Sequence, residues 1–204
     1  MKEAEVETLE QRLLRTVGNS GIFRPQDVGG KGISRTSLKR LHDRGFVERV
    51  GRGLYRVAFS GISEHQSFIE ATKRVPRSII CLLSALRFHE MTTQNPSSVW
   101  LAIDRKSWLP KTDWPPLQIV RFSGRALTEG AETHILGNTE VRIYSPAKTV
   151  ADCFKYRNKT GLDVALEALK DAIEKKLASY DEIWKYAKIC RVDNVMRPYL
   201  DSLG

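Results

Sequence analysis

Basic side chains that could bind a polyanion are concentrated in one short stretch of the chain. Residues 24–58 carry nine lysines and arginines against three acidic residues, a charge of +6 in a 204-residue chain whose net charge is +9. A basic stretch of this kind is the electrostatic footprint of nucleic-acid binding. The charge distribution therefore predicts that residues 24–58 form the main contact surface for a nucleic acid.

Three helices are predicted to precede or carry these basic side chains. The first has apolar residues at helical spacing and ends at Gly18, and the second begins at Pro25 and ends at Gly29-Gly30. The third begins after Ser34, a residue that favours the N-cap position, and ends at Gly45.

A basic hairpin is predicted to follow the third helix. Residues 46–57 contain two runs with high β propensity around Gly51-Arg52-Gly53, which is typical of a tight turn. Alternation along the runs predicts that one face carries Phe46, Val50, Tyr55 and Val57, and that the other carries Arg49 and Arg56. Three helices followed by a basic hairpin form a winged helix-turn-helix.

This arrangement can bind DNA because a helix fits the major groove and a glycine-flanked arginine can approach a phosphate or enter the minor groove. The alternative is an amphipathic surface helix whose charges are simply solvated. The predicted DNA contacts are Lys31, Ser34, Arg35, Thr36, Ser37, Lys39, Arg40, Arg49, Arg52 and Arg56.

The rest of the chain is predicted to be an α+β domain. Strands are expected at residues 99–103, 117–122, 133–136 and 140–144, with Gly137-Asn138 as a hairpin turn, and a buried, partly helical segment at 79–90. Helices follow Ser145-Pro146, an N-cap and N1 pair, and a further helix is expected over residues 63–75. We therefore expect a DNA-binding domain at residues 1–60 and a second domain at residues 61–204.

Sequence motifs for catalysis, metal binding or cofactor binding are not found. Cys81 and His89 could be imagined as a nucleophile and a base, but Cys81 lies in the most apolar run of the chain, where a thiolate is disfavoured. Asp104 and Asp152 each lie near the end of a strand or a helix, without an evident partner, and capping or surface roles are the alternative. The sequence predicts no catalytic residue, no metal site, no cofactor and no enzyme activity.

The basic residues around the helix predicted at 147–157 are the candidate contacts of the second domain. They could contact nucleic acid or an acidic protein partner, and the alternative is a solvated helix face. These residues are Lys148, Lys155, Arg157 and Lys159.

The cysteines and the apolar runs indicate in which cellular compartment the protein is expected. Cys81, Cys153 and Cys190 lie far apart inside apolar stretches, which predicts buried free thiols in a reducing cytosol. The longest nearly apolar run spans residues 78–86, far short of the about 20 residues that a membrane helix needs. We expect a cytoplasmic bacterial protein with no membrane contact.

The order of several segments resembles the AbiEi family of antitoxins, the antitoxin halves of bacterial type IV toxin–antitoxin and phage abortive-infection systems. The resemblance spans roughly residues 10–175 and depends on the order and spacing of the segments together. These segments are the winged start, Arg52-Gly-Leu-Tyr-Arg56, Cys81-Leu-Leu-Ser-Ala-Leu86 with Phe88-His89, Pro96-Ser-Ser-Val-Trp-Leu-Ala-Ile103, Tyr144-Ser-Pro-Ala-Lys-Thr-Val-Ala-Asp-Cys-Phe-Lys-Tyr156 and Leu162-Asp-Val-Ala-Leu-Glu-Ala-Leu169.

The resemblance implies two activities. The winged domain would bind inverted repeats in the promoter of its own operon and repress it, through the helix at residues 34–44 and the wing at residues 49–56. The C-terminal domain would neutralise a toxin of the nucleotidyltransferase class, directly or indirectly, with residues 145–156 as the first segment to test. We expect a monomer in solution that can bind promoter DNA cooperatively.

Two other functions are compatible with the same residues. The first is a winged-helix transcriptional regulator whose second domain senses a ligand or oligomerises. The second is a nucleic-acid-processing enzyme with the winged module as a docking arm, which requires a cluster of acidic or Cys/His residues in the folded second domain.

Overall fold

The computed structural model describes residues 7–18, 21–58, 65–110, 112 and 114–202. The fold is mixed α+β, as predicted, and the chain divides into two compact units. The first unit comprises residues 1–76 with 135–140, and the second comprises residues 77–134 with 141–204. The boundary predicted between residues 60 and 61 lies outside the described residues, as does the predicted helix start at Ser63.

The first unit contains the predicted helices and hairpin. Ile22 and Phe23 form a short strand that the sequence periodicity did not predict. This strand pairs antiparallel with the second strand of the hairpin. The elements in order are α1 (Leu9–Val17), β1 (Ile22–Phe23), α2 (Pro25–Gly29), α3 (Arg35–Asp43), β2 (Val47–Gly51), β3 (Leu54–Val57) and α4 (Gln66–Arg74).

Local sequence signals set the ends of these helices. The Thr8 hydroxyl accepts from the backbone of Gln11 and the Gln11 side chain accepts from the backbone of Thr8, a reciprocal capping box at the start of α1. Gly45 follows α3 with a φ of +71° and donates its N–H to the carbonyl of His42 at 2.9 Å. The boundaries predicted from Pro25 and Gly45 are therefore confirmed.

A small apolar core holds the first unit together. The buried apolar faces of its helices and strands meet there, so that α3 keeps its polar face outward. The core consists of Leu13, Val17, Phe23, Val28, Ile33, Leu38, Leu41, Val47 and Val57.

The predicted faces are right for the second strand of the hairpin, where Tyr55 and Val57 share one face and Arg56 faces the other way, and wrong for the first strand. Val47 pairs with Val57, and Arg49 pairs with Tyr55, so these four side chains share one face, while Glu48 and Arg56 face the other way. The register is set by burial of Val47, which is 1% exposed, and a shift of one residue moves every side chain of a strand to the opposite face. Arg49 and Arg56 therefore lie on opposite faces.

The second unit combines a sheet with helices that cover it. In the described part of the chain the sheet has the strand order β6-β5-β4-β8-β7, with β5 parallel to β6 and β4 parallel to β8. The adjoining ends of β7 and β8 fall within residues 135–140, which belong to the first unit. The elements are β4 (Ile79–Ile80), α5 (Leu82–Phe88), β5 (Val99–Asp104), β6 (Leu117–Phe122), α6 (Arg125–Thr128), β7 (Ala131–Leu136), β8 (Thr139–Tyr144), α7 (Pro146–Lys155), α8 (Arg157–Thr160), α9 (Leu162–Glu174), α10 (Tyr180–Cys190) and α11 (Asp193–Asp201).

Helix α7 is the centre of this unit and packs against α5, α9 and α10. Ser145 caps its N-terminus and Pro146 takes the first turn, as predicted. Every residue from Ala147 to Phe154 is buried, so α7 has no solvated face over that span. All three cysteines are buried and free, which confirms the prediction of core thiols.

Candidate nucleic-acid interface

Helix α3 presents a polar and basic face to solvent. Leu38 and Leu41 are buried in the core, whereas Arg35, Thr36, Lys39 and Arg40 are exposed. The exposed side chains recur at helical spacing, which places them on the side of α3 opposite the core.

An open groove lies beside this face, between α2, α3 and the hairpin. Its lining brings Arg49 of the hairpin to the same depression as Arg35 and Lys39 of α3. Arg49 reaches it because strand pairing puts its side chain on the face of Tyr55. The full lining is Pro25, Arg35, Leu38, Lys39, His42, Asp43, Arg49 and Tyr55.

The basic side chains differ in whether a carboxylate already neutralises them. Arg56 binds Glu48 with an Nη2–Oε2 distance of 2.8 Å on the far face of the hairpin. Among the described residues, no carboxylate lies within ion-pair distance of Arg35, Lys39 or Arg40. These three cations of α3 are therefore available to an external anion, and Arg56 is the least available of the predicted contacts.

The tip of the hairpin and the turn before α3 add two more exposed cations. Arg52 is exposed between strands β2 and β3, next to Gly53, whose φ is +64°. Lys31 is exposed in the turn between α2 and α3.

Ser34 and Ser37 form the N-cap interaction at the start of α3. The Ser34 hydroxyl accepts from the backbone N–H of Ser37 at 3.0 Å, and the two hydroxyl oxygens lie 2.9 Å apart. Sequence reasoning identified Ser34 as both N-cap and DNA contact, and the structure places its hydroxyl in the cap.

The predicted basic cluster of the second unit is incomplete because Lys148 is not on the surface. Its side chain is 0% exposed, its Nζ lies 2.5 Å from Oδ2 of Asp152, and it sits over the rings of Phe122 and Tyr144. The expectation that Lys148 belongs to an exposed basic face is wrong, because α7 is buried on all sides at that position. Asp152 has Lys148 as its partner, so neither the capping nor the surface role applies to it.

The other three predicted residues lie at or beyond the C-terminal end of α7. Lys155 and Lys159 are exposed, and Arg157 is half-buried with its Nη1 donating to the carbonyl of Phe154 at 2.9 Å. Lys155 lies at an open groove with Lys188 and Arg191 at the end of α10, two exposed cations that sequence reasoning did not single out. The full lining of this groove is Ser123, Gly124, Arg125, Ala126, Lys155, Lys188, Ile189 and Arg191.

The candidate nucleophile Cys81 and the candidate base His89 both lie in surroundings that disfavour their charged forms. Burial raises the pKa of the Cys81 thiol well above its usual value, and Asp152 raises it further. Burial lowers the pKa of His89, whose Nε2 lies 2.8 Å from the carbonyl oxygen of Tyr144. Within the described residues there is no group of three His, Cys, Asp or Glu side chains that could hold a metal ion.

None of the described helices combines the length and the apolar composition required to cross a bilayer.

Among the comparisons with known proteins, a protein-family model matches the winged region. No curated protein matches the chain. Residues 11–58, from within α1 to the end of the hairpin, match the family model described as transcriptional regulator, AbiEi antitoxin. The match supports an antitoxin and a DNA-binding regulator in general, and it covers every predicted DNA contact. Over residues 11–58 the chain therefore matches the AbiEi antitoxin family of transcriptional regulators, which confirms the resemblance for its winged region.

Proposed function

We propose that this protein is the antitoxin of a type IV toxin–antitoxin system that binds inverted repeats in the promoter of its own operon and represses it. The observation that carries the proposal is the exposed, unneutralised basic face of α3, formed by Arg35, Lys39 and Arg40, within a region that matches the AbiEi regulator model. The proposal includes neutralisation of a nucleotidyltransferase-class toxin by the second unit.

The α3 face supplies the chemistry that major-groove recognition needs. Arginine and lysine can donate to the O6 and N7 acceptors of guanine, and Thr36 offers a hydroxyl and a methyl group to neighbouring base edges. The first backbone N–H groups of α3 and the cations Lys31 and Arg52 are suited to phosphates, which fix the orientation of the helix.

The test is alanine replacement on α3, measured by titration of the full chain with the DNA immediately upstream of its gene. Arg35→Ala, Lys39→Ala or Arg40→Ala should weaken binding by about 1–3 kcal/mol wherever the side chain reads a base. Arg15→Ala is the matched control, because Arg15 is an exposed arginine of α1 that pairs with Glu7 at 3.2 Å.

The control variant should bind like the unmodified chain. Equal losses on upstream DNA and on DNA of shuffled sequence would reduce the α3 residues to phosphate contacts. If all three α3 variants bind upstream DNA as well as the Arg15→Ala control does, α3 is not the recognition element.

For toxin neutralisation, the groove at the ends of α7 and α10 is the surface that we propose. Lys155, Lys188 and Arg191 form an exposed basic concavity suited to an acidic surface of a partner protein. Arg157 and Lys159 would flank this contact surface. Lys148 is fully buried and cannot contact a partner protein there.

Co-expression with the product of the adjacent gene tests this surface. The full chain should restore bacterial growth, and the double variant Lys188→Gln with Arg191→Gln should restore it less well. Lys170→Gln is the control, since Lys170 is an exposed lysine of α9 outside this groove. If the adjacent gene is not toxic, or if the full chain does not restore growth, the alternative is a winged-helix regulator with a ligand-sensing or oligomerising second domain.

A further inference from the structure

The C-terminal turn of α4 contacts the wing close to its tip, where the wing is defined as strands β2 and β3 with their turn. Nη2 of Arg74 donates to the carbonyl oxygen of Val50 at 2.6 Å. The pairing of β2 with β3 shifts between Arg49 and Gly51, so Val50 is the extra residue of a β-bulge. A bulge leaves one residue outside the regular ladder, and Arg74 binds the carbonyl of that residue.

Two further contacts fix the guanidinium of Arg74. Oε1 of Glu70 accepts from Nη2 at 2.7 Å and from Nε at 3.1 Å, and the Glu70 side chain is only 3% exposed. A Cβ added to Gly51 would lie 2.7 Å from Nη1 of Arg74, so the absence of a side chain at Gly51 allows the guanidinium to approach the wing. Glu70, Gly51 and the bulge thus converge on one arginine.

The preceding residue of α4 binds the second helix of the winged fold. Nζ of Lys73 lies 2.6 Å from Oδ2 of Asp27, and the same oxygen accepts from the backbone N–H of Arg24 at 2.9 Å. The guanidinium of Arg24 donates to the carbonyl of Lys73 through Nε, at 3.1 Å, and through Nη2. One turn of α4 therefore holds both the wing and α2.

We infer that Arg74, oriented by Glu70, is a positioning residue that fixes the wing for contact with DNA. The inference rests on the proposed function and extends the DNA-binding unit beyond the matched residues 11–58 to α4. An arginine suits this position because its planar guanidinium donates from several nitrogens at fixed angles, whereas a lysine ammonium offers no such fork. Fixing the bulge also fixes Arg52, which lies two residues after Val50.

The experiment uses the full chain with Arg74→Lys, and with Glu70→Gln as a second variant in case the first does not fold. Hydrogen exchange of the backbone amides of Gly51 and Leu54, which pair with each other beside the bulge, should become faster in both variants, while exchange of the α3 amides stays unchanged. This readout requires no DNA. Equal acceleration across the whole first unit, or unchanged exchange in the wing, would overturn the positioning role.

A double-mutant cycle with Arg52→Ala tests whether Arg74 affects DNA binding through the wing. Removal of the Arg52 phosphate contact should reduce the slope of log affinity against log salt by about 0.9, and Arg74→Lys should reduce it in the same direction. Because both act through the wing, the double variant should bind no more weakly than Arg52→Ala alone. Full additivity of the two losses would overturn the inference.

The failure of the proposed function gives a different result. In that case Arg52→Ala leaves the salt slope unchanged, so the wing does not contact DNA, and the exchange rates still decide whether Arg74 fixes the wing. Arg15→Lys, an exposed arginine of α1, is the control for the arginine-to-lysine change itself and should alter neither readout.

Discussion

Lys148 of α7 is the residue whose environment differs most from the prediction made from the sequence. It was expected on an exposed basic face and is fully buried. Lys148 pairs with Asp152, four residues later, and its ammonium lies 4.0 Å from the centre of the Tyr144 ring. Burial raises the pKa of Asp152, and the charge of Lys148 and its hydrogen bond oppose that shift. Lys148 therefore offsets part of the cost of burying the Asp152 carboxylate.

Removal of the lysine should therefore destabilise the protein strongly. Lys148→Met keeps the apolar length of the side chain but leaves the Asp152 charge unpaired, at a cost of roughly 3–5 kcal/mol. Because the charge and the hydrogen bond of Lys148 lower the Asp152 pKa, their loss should raise that folded-state pKa further above its ordinary value of 3.8. The destabilisation relative to the unmodified protein should therefore grow as pH rises above 3.8 and shrink toward that pH. Denaturant unfolding of both proteins at several pH values measures the difference.

A second variant separates the charge from the packing. Lys148→Met combined with Asp152→Leu removes both charges and should recover most of the lost stability, because a buried pair can be replaced by apolar residues at little cost. A destabilisation by Lys148→Met that is the same at every pH, with no recovery in the double variant, would show that the pair is not what stabilises this site.

At the scale of elements, signals local to the chain predicted most helices and strands. Pro25, Ser34, Gly45 and Ser145 each act within a few residues, so the helix boundaries they set were visible in the sequence. The strands β1 and β4 were missed because each has two described residues, too few for a period to show. Helix α6, with four residues, was missed for the same reason.

The faces of elements were harder to predict than their positions. The first strand of the hairpin was assigned to the wrong faces because Val47, and not Phe46, pairs with Val57, and because the bulge at Val50 breaks the period near the tip. The basic side chains of α3 were predicted correctly as exposed, since Leu38 and Leu41 define its buried side. The role of Arg74 could not be identified, because its contact with Val50 joins residues 24 positions apart along the chain. Glu70 and Arg74 stand at the i,i+4 spacing of an ordinary helical ion pair, which by itself points to no contact with the wing.

At the scale of the whole molecule, the net charge and the side chains that can reach base edges make different predictions about DNA binding. A net charge of +9 favours attachment to any DNA, since binding of phosphates is largely independent of sequence and depends on salt. Sequence preference needs side chains that reach base edges, and in this chain the exposed face of α3 is the surface suited to that. The exposed face of α3 therefore predicts a preference for one DNA sequence, which a measurement of general affinity for DNA does not test.

The most direct measurement is titration of the full chain, at fixed physiological salt, with the DNA upstream of its gene and with a shuffled fragment of the same composition. Specific DNA-binding proteins bind their sites typically 10³-fold or more tighter than non-specific DNA. We predict a preference of at least about a thousandfold for the upstream fragment. Equal affinity for the two fragments would contradict sequence recognition by α3 and leave a basic protein that binds DNA only through its charge.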